Sequence, residues 1–210
     1  MNGLFYCDLT TLPQCLEGFN GKEMLPFQKL IDNFEAEYDL VSNYGSVFTF
    51  RTNKNAPRYK LVRIDFRQPE AWSDFVRESE DVLELAFCVN GNQLLLSYLS
   101  DVKYVLQIRD LQSGHLLHNL PIDIGSVYRI SGRRKDKEVF IGFTSFLTPA
   151  MIYQCNLDVE KPELVVFRET VVPGFDRTEF EAKQVKLFFT IFCFYKFSGR
   201  KSSLLNVINM

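Results

Sequence analysis

Four segments of the chain alternate apolar and polar residues and then end on an acidic or amide side chain followed by an apolar one. They are residues 4–9, 61–66, 105–111 and 151–157. Such alternation is typical of a β-strand with one buried face. The acidic or amide position recurs at intervals of 57, 45 and 46 residues, at Asp8, Asp65, Asp110 and Asn156. An interval of about 45 residues is the length of one four-stranded blade of a β-propeller.

A second strand-like run precedes each of the last three segments. These runs are short, rich in aliphatic and aromatic side chains, and bounded by Asn, Asp, Ser or Pro, which is typical of strands joined in hairpins. They are residues 47–50, 94–99 and 140–147. After the third segment, residues 112–114 predict a turn and residues 116–120 predict an outer strand. The elements of a blade are therefore present in order.

Signals for helices are scarce. Residues 81–87 could form two helical turns, but Leu83, Leu85 and Phe87 fit a period of two about as well. Ser79 is followed three residues later by Val82 and not by Glu or Gln, so no capping box begins a helix there. The sequence therefore predicts an all-β fold, with residues 81–87 as the inner strand of a blade.

The length of the chain bears on how much of a propeller it holds. The 210 residues hold at most about four and a half blades, whereas propellers contain about four to eight. The sequence begins directly in the segment 4–9, with no room for the two strands that should precede it. We therefore expect an arc of a larger ring and not a minimal closed one.

Composition and charge argue against several classes of function. Lys and Arg number 24 and Asp and Glu 26, a formal charge of −2 that gives no electrostatic attraction for nucleic acid. The five cysteines are scattered without a C-x-x-C pair, and only two histidines could join them, so neither a zinc site nor a disulfide framework is predicted. We predict no cofactor and no metal.

Targeting signals are also missing from the pattern of residues. The first twenty residues lack a basic region followed by an apolar run, so no signal peptide is predicted. The longest apolar stretch, residues 187–195, is about half as long as a membrane span needs to be. We therefore expect a cytoplasmic protein with no membrane span.

Several blocks of the chain resemble the propeller of the prolyl oligopeptidase (prolyl endopeptidase) family of serine peptidases. They are residues 30–39, 45–53, 81–84, 98–103, 143–149 and 166–170. The resemblance is collinear from about residue 4 to residue 185. It implies about three and a half four-stranded blades of a seven-bladed ring. In that family the propeller gates the access of short proline-containing peptides to an α/β-hydrolase domain that carries a Ser-His-Asp triad.

The chain departs from the family in two respects. The G-x-S-x-G nucleophile elbow does not occur in the sequence, and neither histidine matches the catalytic one of the family. No catalytic, cofactor-binding or metal residue is therefore assigned, and the chain alone is expected to be inactive, as a fragment of a peptidase. The resemblance ends at residue 185. We expect residues 1–185 to form the partial propeller and residues 186–210 a divergent, Phe-rich tail.

Each chemically suggestive group also has a plainer interpretation. Cys88 and the other thiols are expected to be small buried hydrophobic groups, and His115 and His118 to be exposed. Asp101 and its neighbours lack the D-x-[DN]-x-[DN]-G pattern of a calcium loop. The four recurring Asp and Asn residues are expected to form turns, because such side chains bond the backbone two residues further on.

Two basic clusters and the tail are interpreted in the same way. The clusters are expected to be solvated hairpins and not sites for anions. They are Lys54, Arg58, Lys60 and Arg63, and Arg133, Arg134, Lys135 and Lys137. Residues 187–195 are expected to add as a strand or to aggregate. The alternative function is a non-catalytic interaction module whose unpaired strands join a second copy or the rest of an oligopeptidase.

Overall fold

The computed structural model describes residues 1–12, 17, 24–187, 190–197 and 205–208, and side chains as far as residue 184. These residues form two compact units, Met1–Glu80 and Asp81–Met210. They contain β-strands and two short 3₁₀-helices, at Leu9–Thr11 and Arg177–Glu179, and no α-helix lies among them. The all-β prediction is confirmed.

The first unit contains two antiparallel sheets. Its strands are β1 (Leu4–Tyr6), β2 (Gln28–Ile31), β3 (Tyr38–Tyr44), β4 (Val47–Thr52), β5 (Lys60–Asp65) and β6 (Gln68–Val76). Strands β1 and β2 form a two-stranded sheet, and β3 to β6 form a four-stranded sheet in chain order. Four neighbouring strands joined by short connections are what a propeller blade requires.

The second unit contains two more four-stranded sheets and a three-stranded one. The strands of the first sheet are β7 (Val82–Val89), β8 (Gln93–Ser100), β9 (Lys103–Asp110) and β10 (Leu116–Leu120). Those of the next are β11 (Ser126–Ser131), β12 (Glu138–Thr144), β13 (Met151–Asn156) and β14 (Val165–Glu169). The last sheet consists of β15 (Phe180–Leu187), β16 (Thr190–Phe197) and β17 (Leu205–Ile208). Within each sheet the strands follow chain order.

The repeated segments of the sequence occupy equivalent places in three sheets. The last three segments form β5, β9 and β13, the third strands of their sheets, and the runs that precede them form β4, β8 and β12. Residues 81–87 form most of β7, a strand as predicted. The first segment forms only the short β1, which pairs with β2.

The core of the second unit lies between its two four-stranded sheets. One sheet contributes Leu95, Leu106 and Ile108, and the other contributes Ile141 and Phe143, all of them at most 1% exposed. Leu106 and Ile108 alternate with more exposed residues along β9, and buried and more exposed residues alternate in the same way along β13. The alternation read from the sequence therefore marks the buried face of each sheet.

The core of the first unit is aromatic. Phe50, Val62 and Ile64 are buried on the four-stranded sheet together with Tyr38. At its margin, the rings of Phe48 and Phe66 stack with their centroids 4.0 Å apart. The abundance of Phe in the sequence is thus explained in part by this packing.

The recurring Asp and Asn side chains form turns as predicted. Each accepts a hydrogen bond from the backbone N–H two residues further on, which is the Asx-turn geometry. The bonds are Thr10 N to Asp8 Oδ1 (2.9 Å), Arg67 N to Asp65 Oδ1 (3.0 Å), Gln112 N to Asp110 Oδ1 (3.1 Å) and Asp158 N to Asn156 Oδ1 (2.9 Å). The Asp or Asn that recurs in the sequence therefore marks the same structural feature each time, an Asx turn that follows a strand.

The turn between β7 and β8 connects the two four-stranded sheets of the second unit. Asn90 and Gly91 have φ values of 43° and 70°, a left-handed conformation that Asn and Gly adopt at low cost. The Asn90 N–H donates to the carbonyl oxygen of Asp136 (3.1 Å), and its side-chain amide donates to that of Leu157 (2.9 Å). Gly91 N donates to Arg134 O (2.5 Å), and Arg134 Nε donates to Gly91 O (2.9 Å).

We expect Leu95→Ala to lower the free energy of unfolding by about 2–5 kcal/mol, because a fully buried side chain is lost and a cavity remains. Leu117→Ala on β10 is the matched control, since Leu117 is 43% exposed, and it should cost at most about 1 kcal/mol. Urea unfolding followed by far-ultraviolet circular dichroism measures both. Equal losses would contradict the position of the core.

We expect the stability of the protein to depend on the ionisation of Asp110. Hydrogen bonds from the Ser113 hydroxyl (2.6 Å) and N–H (2.7 Å) hold the pKa of Asp110 below its usual value. Its contribution is therefore complete above about pH 4 and is lost as the pH falls through the folded-state pKa. Asp110→Asn should make the free energy of unfolding less dependent on pH in this acidic range.

The measurement is the urea midpoint as a function of pH, with Glu80→Gln as the control for removing an exposed carboxylate. At neutral pH, Asp110→Ala should cost roughly 1–2 kcal/mol because the turn loses its acceptor. An Asp110→Asn curve that parallels the parent curve throughout the acidic range would show that this carboxylate does not stabilise the turn.

Candidate functional site

Two grooves carry the charged side chains that a ligand site needs. The first, the Trp72 groove, lies in the first unit, has a volume of about 600 Å³ and is lined by Lys29, Lys54, Lys60 and Trp72 among others. The second, the Phe140 groove, lies in the second unit, has a volume of about 930 Å³ and is lined by the β11–β12 hairpin and Phe140. Both are lined by equal numbers of acidic and basic residues.

The three lysines of the Trp72 groove each have a carboxylate or aromatic partner nearby. Lys60 Nζ lies 2.7 Å from the Asp74 carboxylate, and Lys29 Nζ lies 3.1 Å from that of Asp32. The ammonium group of Lys54 lies 5.0 Å from the centroid of the Trp72 ring, a cation–π contact. The groove therefore offers no concentration of one charge sign to an ionic ligand.

The first basic cluster differs from the solvated hairpin that the sequence predicts. Lys60 and Arg63 lie in strand β5, and the Lys60 side chain is only 17% exposed. The guanidinium carbon of Arg63 lies 3.6 Å from the centroid of the Phe75 ring. The prediction of solvation is wrong at these two positions because the long apolar stems pack on the sheet while the charged ends find partners.

The second basic cluster lies in the exposed hairpin between β11 and β12, as predicted. Arg133 Nε lies 3.2 Å from the Asp136 carboxylate, and Lys137 pairs with Asp158. Arg134 is exposed and donates to the backbone of Gly91. Two of the four basic side chains of this cluster are thus paired with carboxylates, which does not favour an anion site.

Burial disfavours the reactive thiolate form at two of the described cysteines. Burial raises the pKa of the Cys88 thiol and raises that of Cys155 to about 11. Cys7, Cys88 and Cys155 are free thiols, and the interpretation of Cys88 as a buried hydrophobic group is confirmed. The side chains of Cys15 and Cys193 lie outside the described residues.

The remaining candidates are the two histidines and Asp110. His115 is exposed as predicted, whereas His118 on β10 is half-buried. The Asp110 carboxylate accepts bonds from Ser113 and Asn92 (2.9 Å from Asn92 Nδ2) and serves its turn. Within the described ranges, no group of three or more His, Cys, Asp or Glu side chains is placed to hold a metal ion.

The tail is described only as backbone. Residues 190–197 form β16, between β15 and β17, so most of the predicted strand-forming run 187–195 is extended and paired. Its side chains lie outside the described residues. In the described ranges there is no helix with the length and apolar character needed to cross a bilayer.

The sequence matches a known domain. The family model for the N-terminal β-propeller domain of prolyl oligopeptidase matches residues 1–168 of the sequence. The chain belongs to the prolyl oligopeptidase family. The resemblance noted in the sequence is thereby confirmed, and so is the prediction of a partial propeller.

Similar proteins include several from fungi. The dual function macrocyclase-peptidase POPB of Amanita bisporigera is 33% identical over 168 residues, which cover 78% of this chain and 23% of that protein. The prolyl oligopeptidase ophP of Omphalotus olearius is 30% identical over 163 residues, which cover 77% of this chain and 22% of that protein. The chain therefore spans less than a quarter of the length of these relatives.

Among solved structures, the apo form of prolyl oligopeptidase B from Galerina marginata superposes with a TM-score of 0.77 at 27% sequence identity. The superposition covers 89% of this chain and 27% of that structure. The fold of the prolyl oligopeptidase family thus extends over most of the chain.

We expect the thiols to react in the order of their exposure and acidity. In the folded chain, iodoacetamide should alkylate the half-buried Cys7 at least about tenfold faster than Cys155, because thiolate is the nucleophile and burial opposes its formation. Peptide mass spectrometry after timed alkylation measures both rates, and the urea-unfolded chain is the control, in which they should converge. Faster labelling of Cys155 in the folded chain would contradict its burial.

Proposed function

We propose that this chain is the propeller portion of a prolyl oligopeptidase-like serine endopeptidase that cleaves short peptides after proline. The observation that carries the proposal is the family match over residues 1–168, supported by the fold shared with the Galerina enzyme. The substrate class follows from the family. In support, solved forms of that enzyme hold a 35mer hydrolysis and macrocyclization substrate.

In this proposal the propeller acts by excluding large substrates, and the chemistry belongs to a hydrolase domain outside these residues. Peptide hydrolysis needs an activated nucleophile and donors that stabilise the oxyanion. The printed sequence contains no G-x-S-x-G motif, and the thiols of Cys88 and Cys155 are held in the unreactive protonated form. We therefore propose that the chain has no peptidase activity alone.

The charge balance of the two grooves supports a steric role. A surface that selects a particular peptide sequence needs unpaired groups that the ligand can satisfy. The Lys60–Asp74 and Arg133–Asp136 pairs instead satisfy one another. A filter that acts by size needs no specific contacts with its substrate, and charged groups that are already paired within the protein meet that requirement.

We also propose the domain boundary that the sequence predicts, with the partial propeller in residues 1–185 and a divergent tail in residues 186–210. The family match to residue 168 supports the first part. We further propose that the protein is cytoplasmic.

A second candidate function, a non-catalytic interaction module, is favoured by one observation. Strand β14 lies at the edge of its sheet and exposes Val165, Val166 and Phe167 by 62%, 48% and 58%. Apolar side chains on an edge strand are common where a protein adds a partner.

We expect no turnover when the purified chain is incubated with a fluorogenic peptide that carries proline at the cleavage position. The full-length Galerina relative is the positive control. Replacement of the matching segment of that enzyme by residues 1–168 should give a chimera that still cleaves the short peptide but not a folded protein, with thermal unfolding as the check of folding. Turnover by the 210-residue chain that a serine-directed inhibitor abolishes would contradict the proposal.

A further inference from the structure

The β7–β8 turn contains the dipeptide Asn90-Gly91, a sequence that can modify itself. The backbone nitrogen of a glycine is not shielded by a side chain, so it can approach and attack the side-chain amide carbon of an asparagine that precedes it. The asparagine is then lost by deamidation. Whether this happens in a folded protein depends on the contacts that hold the two reacting groups.

The reaction has two steps, and water is the co-reactant. The Gly91 nitrogen forms a bond to Asn90 Cγ while the Cγ–Nδ2 bond breaks, and the amide group leaves as ammonia with the proton of the Gly91 N–H. The product is a cyclic imide. Water then adds to one of the two imide carbonyl carbons and breaks its bond to nitrogen. Opening at Cγ gives aspartate, and opening at the backbone carbon gives isoaspartate, in which the main chain passes through Cβ and Cγ.

Both reacting groups are held by the loops of the sheet β11–β14. The Gly91 N–H, which supplies the attacking nitrogen, donates to the carbonyl oxygen of Arg134 (2.5 Å). The Asn90 side-chain amide, which must be attacked, donates through Nδ2 to the carbonyl oxygen of Leu157 (2.9 Å). The Asn90 N–H donates to the carbonyl oxygen of Asp136 (3.1 Å). The nucleophile and the amide are therefore fixed on separate carbonyl oxygens of the neighbouring sheet.

These hydrogen bonds oppose the reaction in two ways. The Gly91 nitrogen must lose its proton, and the carbonyl oxygen that accepts this hydrogen bond makes the proton harder to remove. The Asn90 side chain must also rotate toward its own backbone, which breaks its bond to Leu157. Access of water is not the barrier, because Gly91 is exposed and Asn90 is half-buried. The reaction therefore requires the turn to separate from the neighbouring sheet.

Separation of the turn is coupled to the apolar core between the two sheets. Val89, the residue before Asn90, is fully buried in that core together with Ile141. Val89 also lies close to the β11–β12 hairpin, since a Cβ atom at Gly132 would be 3.5 Å from its side chain. The turn cannot move away from the hairpin without exposing this side chain. Opening of the turn is therefore opening of the contact between the sheets.

The products of deamidation cannot restore the contact. A carboxylate has no N–H group to donate to the carbonyl oxygen of Leu157, and it places a negative charge against that oxygen. In isoaspartate the main chain is also longer by one carbon atom. The N–H groups of residues 90 and 91 then no longer match the spacing of the two carbonyl oxygens that they bind. Deamidation thus converts a reversible opening into a permanent one.

We propose that Asn90 is a site of spontaneous deamidation, that the contact between the two four-stranded sheets of the second unit keeps it unreactive, and that its products release this contact permanently. The extent of reaction at Asn90 then records how often the sheets have separated. The inference does not rest on the proposed peptidase function, because all the groups involved lie within the second unit.

Deamidation of the full chain at mildly alkaline pH tests the protection. Peptide mass spectrometry after timed incubation measures the conversion of Asn90, and Asn92 is the internal reference, because it precedes Gln93 and not glycine. We expect Asn90 to react on the order of a hundredfold more slowly in the folded chain than in the urea-unfolded chain, because three hydrogen bonds must break first. Equal rates in the two states would overturn the proposal.

Ile141→Val and Ile64→Val identify the opening that permits the reaction. Both isoleucines are fully buried, Ile141 between the two sheets of the second unit and Ile64 in the core of the first unit. Ile141→Val should raise the rate of Asn90 deamidation and the rate of hydrogen exchange at the Gly91 N–H by the same factor, about two- to tenfold. Ile64→Val should leave both rates unchanged. Equal acceleration by the two variants would contradict the proposal, because global unfolding would then expose Asn90.

The deamidated chain tests the release of the contact. Its additional negative charge allows it to be separated from the unmodified chain by anion exchange, and circular dichroism checks that it is folded. We expect hydrogen exchange at the Gly91 N–H to be at least about tenfold faster in the deamidated chain than in the unmodified one, because its bond to Arg134 is lost. An unchanged exchange rate would show that the contact re-forms and would contradict the proposal.

Discussion

The architecture of the second unit depends on the need to cover the apolar face of each four-stranded sheet. A single antiparallel sheet cannot bury its own side chains, so it must pack against another layer. Leu95 and Ile108 on one sheet meet Ile141 on the other, and each such side chain contributes about 1.5–3 kcal/mol when it is buried. Because dispersion and hydrophobic burial are not directional, they bring the sheets together without specifying their relative position.

Hydrogen bonds at the β7–β8 turn fix the relative position of the two sheets, which apolar packing does not determine. Asn90 and Gly91 bind the backbone of the neighbouring sheet at Arg134, Asp136 and Leu157. These groups would otherwise be unpaired donors and acceptors at a strand end. The two turn residues make these bonds in a left-handed backbone conformation. Asn and Gly adopt that conformation at low cost, which explains why they occupy the turn.

The fold was predictable where local chemistry decides it. Alternation of side chains identified β5, β9 and β13, and the Asx geometry of Asp110 and its equivalents follows from a bond between residues two positions apart. The extent of β12 was not predictable in the same way. It ends at Thr144 and not at Leu147, because Ser145 and Thr148 exchange backbone hydrogen bonds in a turn of their own.

Other features depend on contacts between distant residues. Asp101 and Val102 form the β8–β9 turn with φ values of 47° and 66°, although neither is Gly or Asn, because the pairing of the flanking strands imposes that conformation. The partners of Lys60 and Arg63 come from β6. Arg129 and Arg168 are found in one row across a sheet only once the register of its four strands is known. Sequence periodicity carries no information on such cross-strand neighbours.

The position of Trp72 has a practical consequence for spectroscopy. It is the single tryptophan of the chain, and it lies in the first unit, in edge contact with Tyr38 and beneath the ammonium group of Lys54. Intrinsic tryptophan fluorescence therefore observes the surroundings of β6 and leaves the sheets of Asp81–Met210 without an indole reporter. A fluorescence transition would thus report on the first unit, whereas a transition in backbone ellipticity would report on the strands of both units.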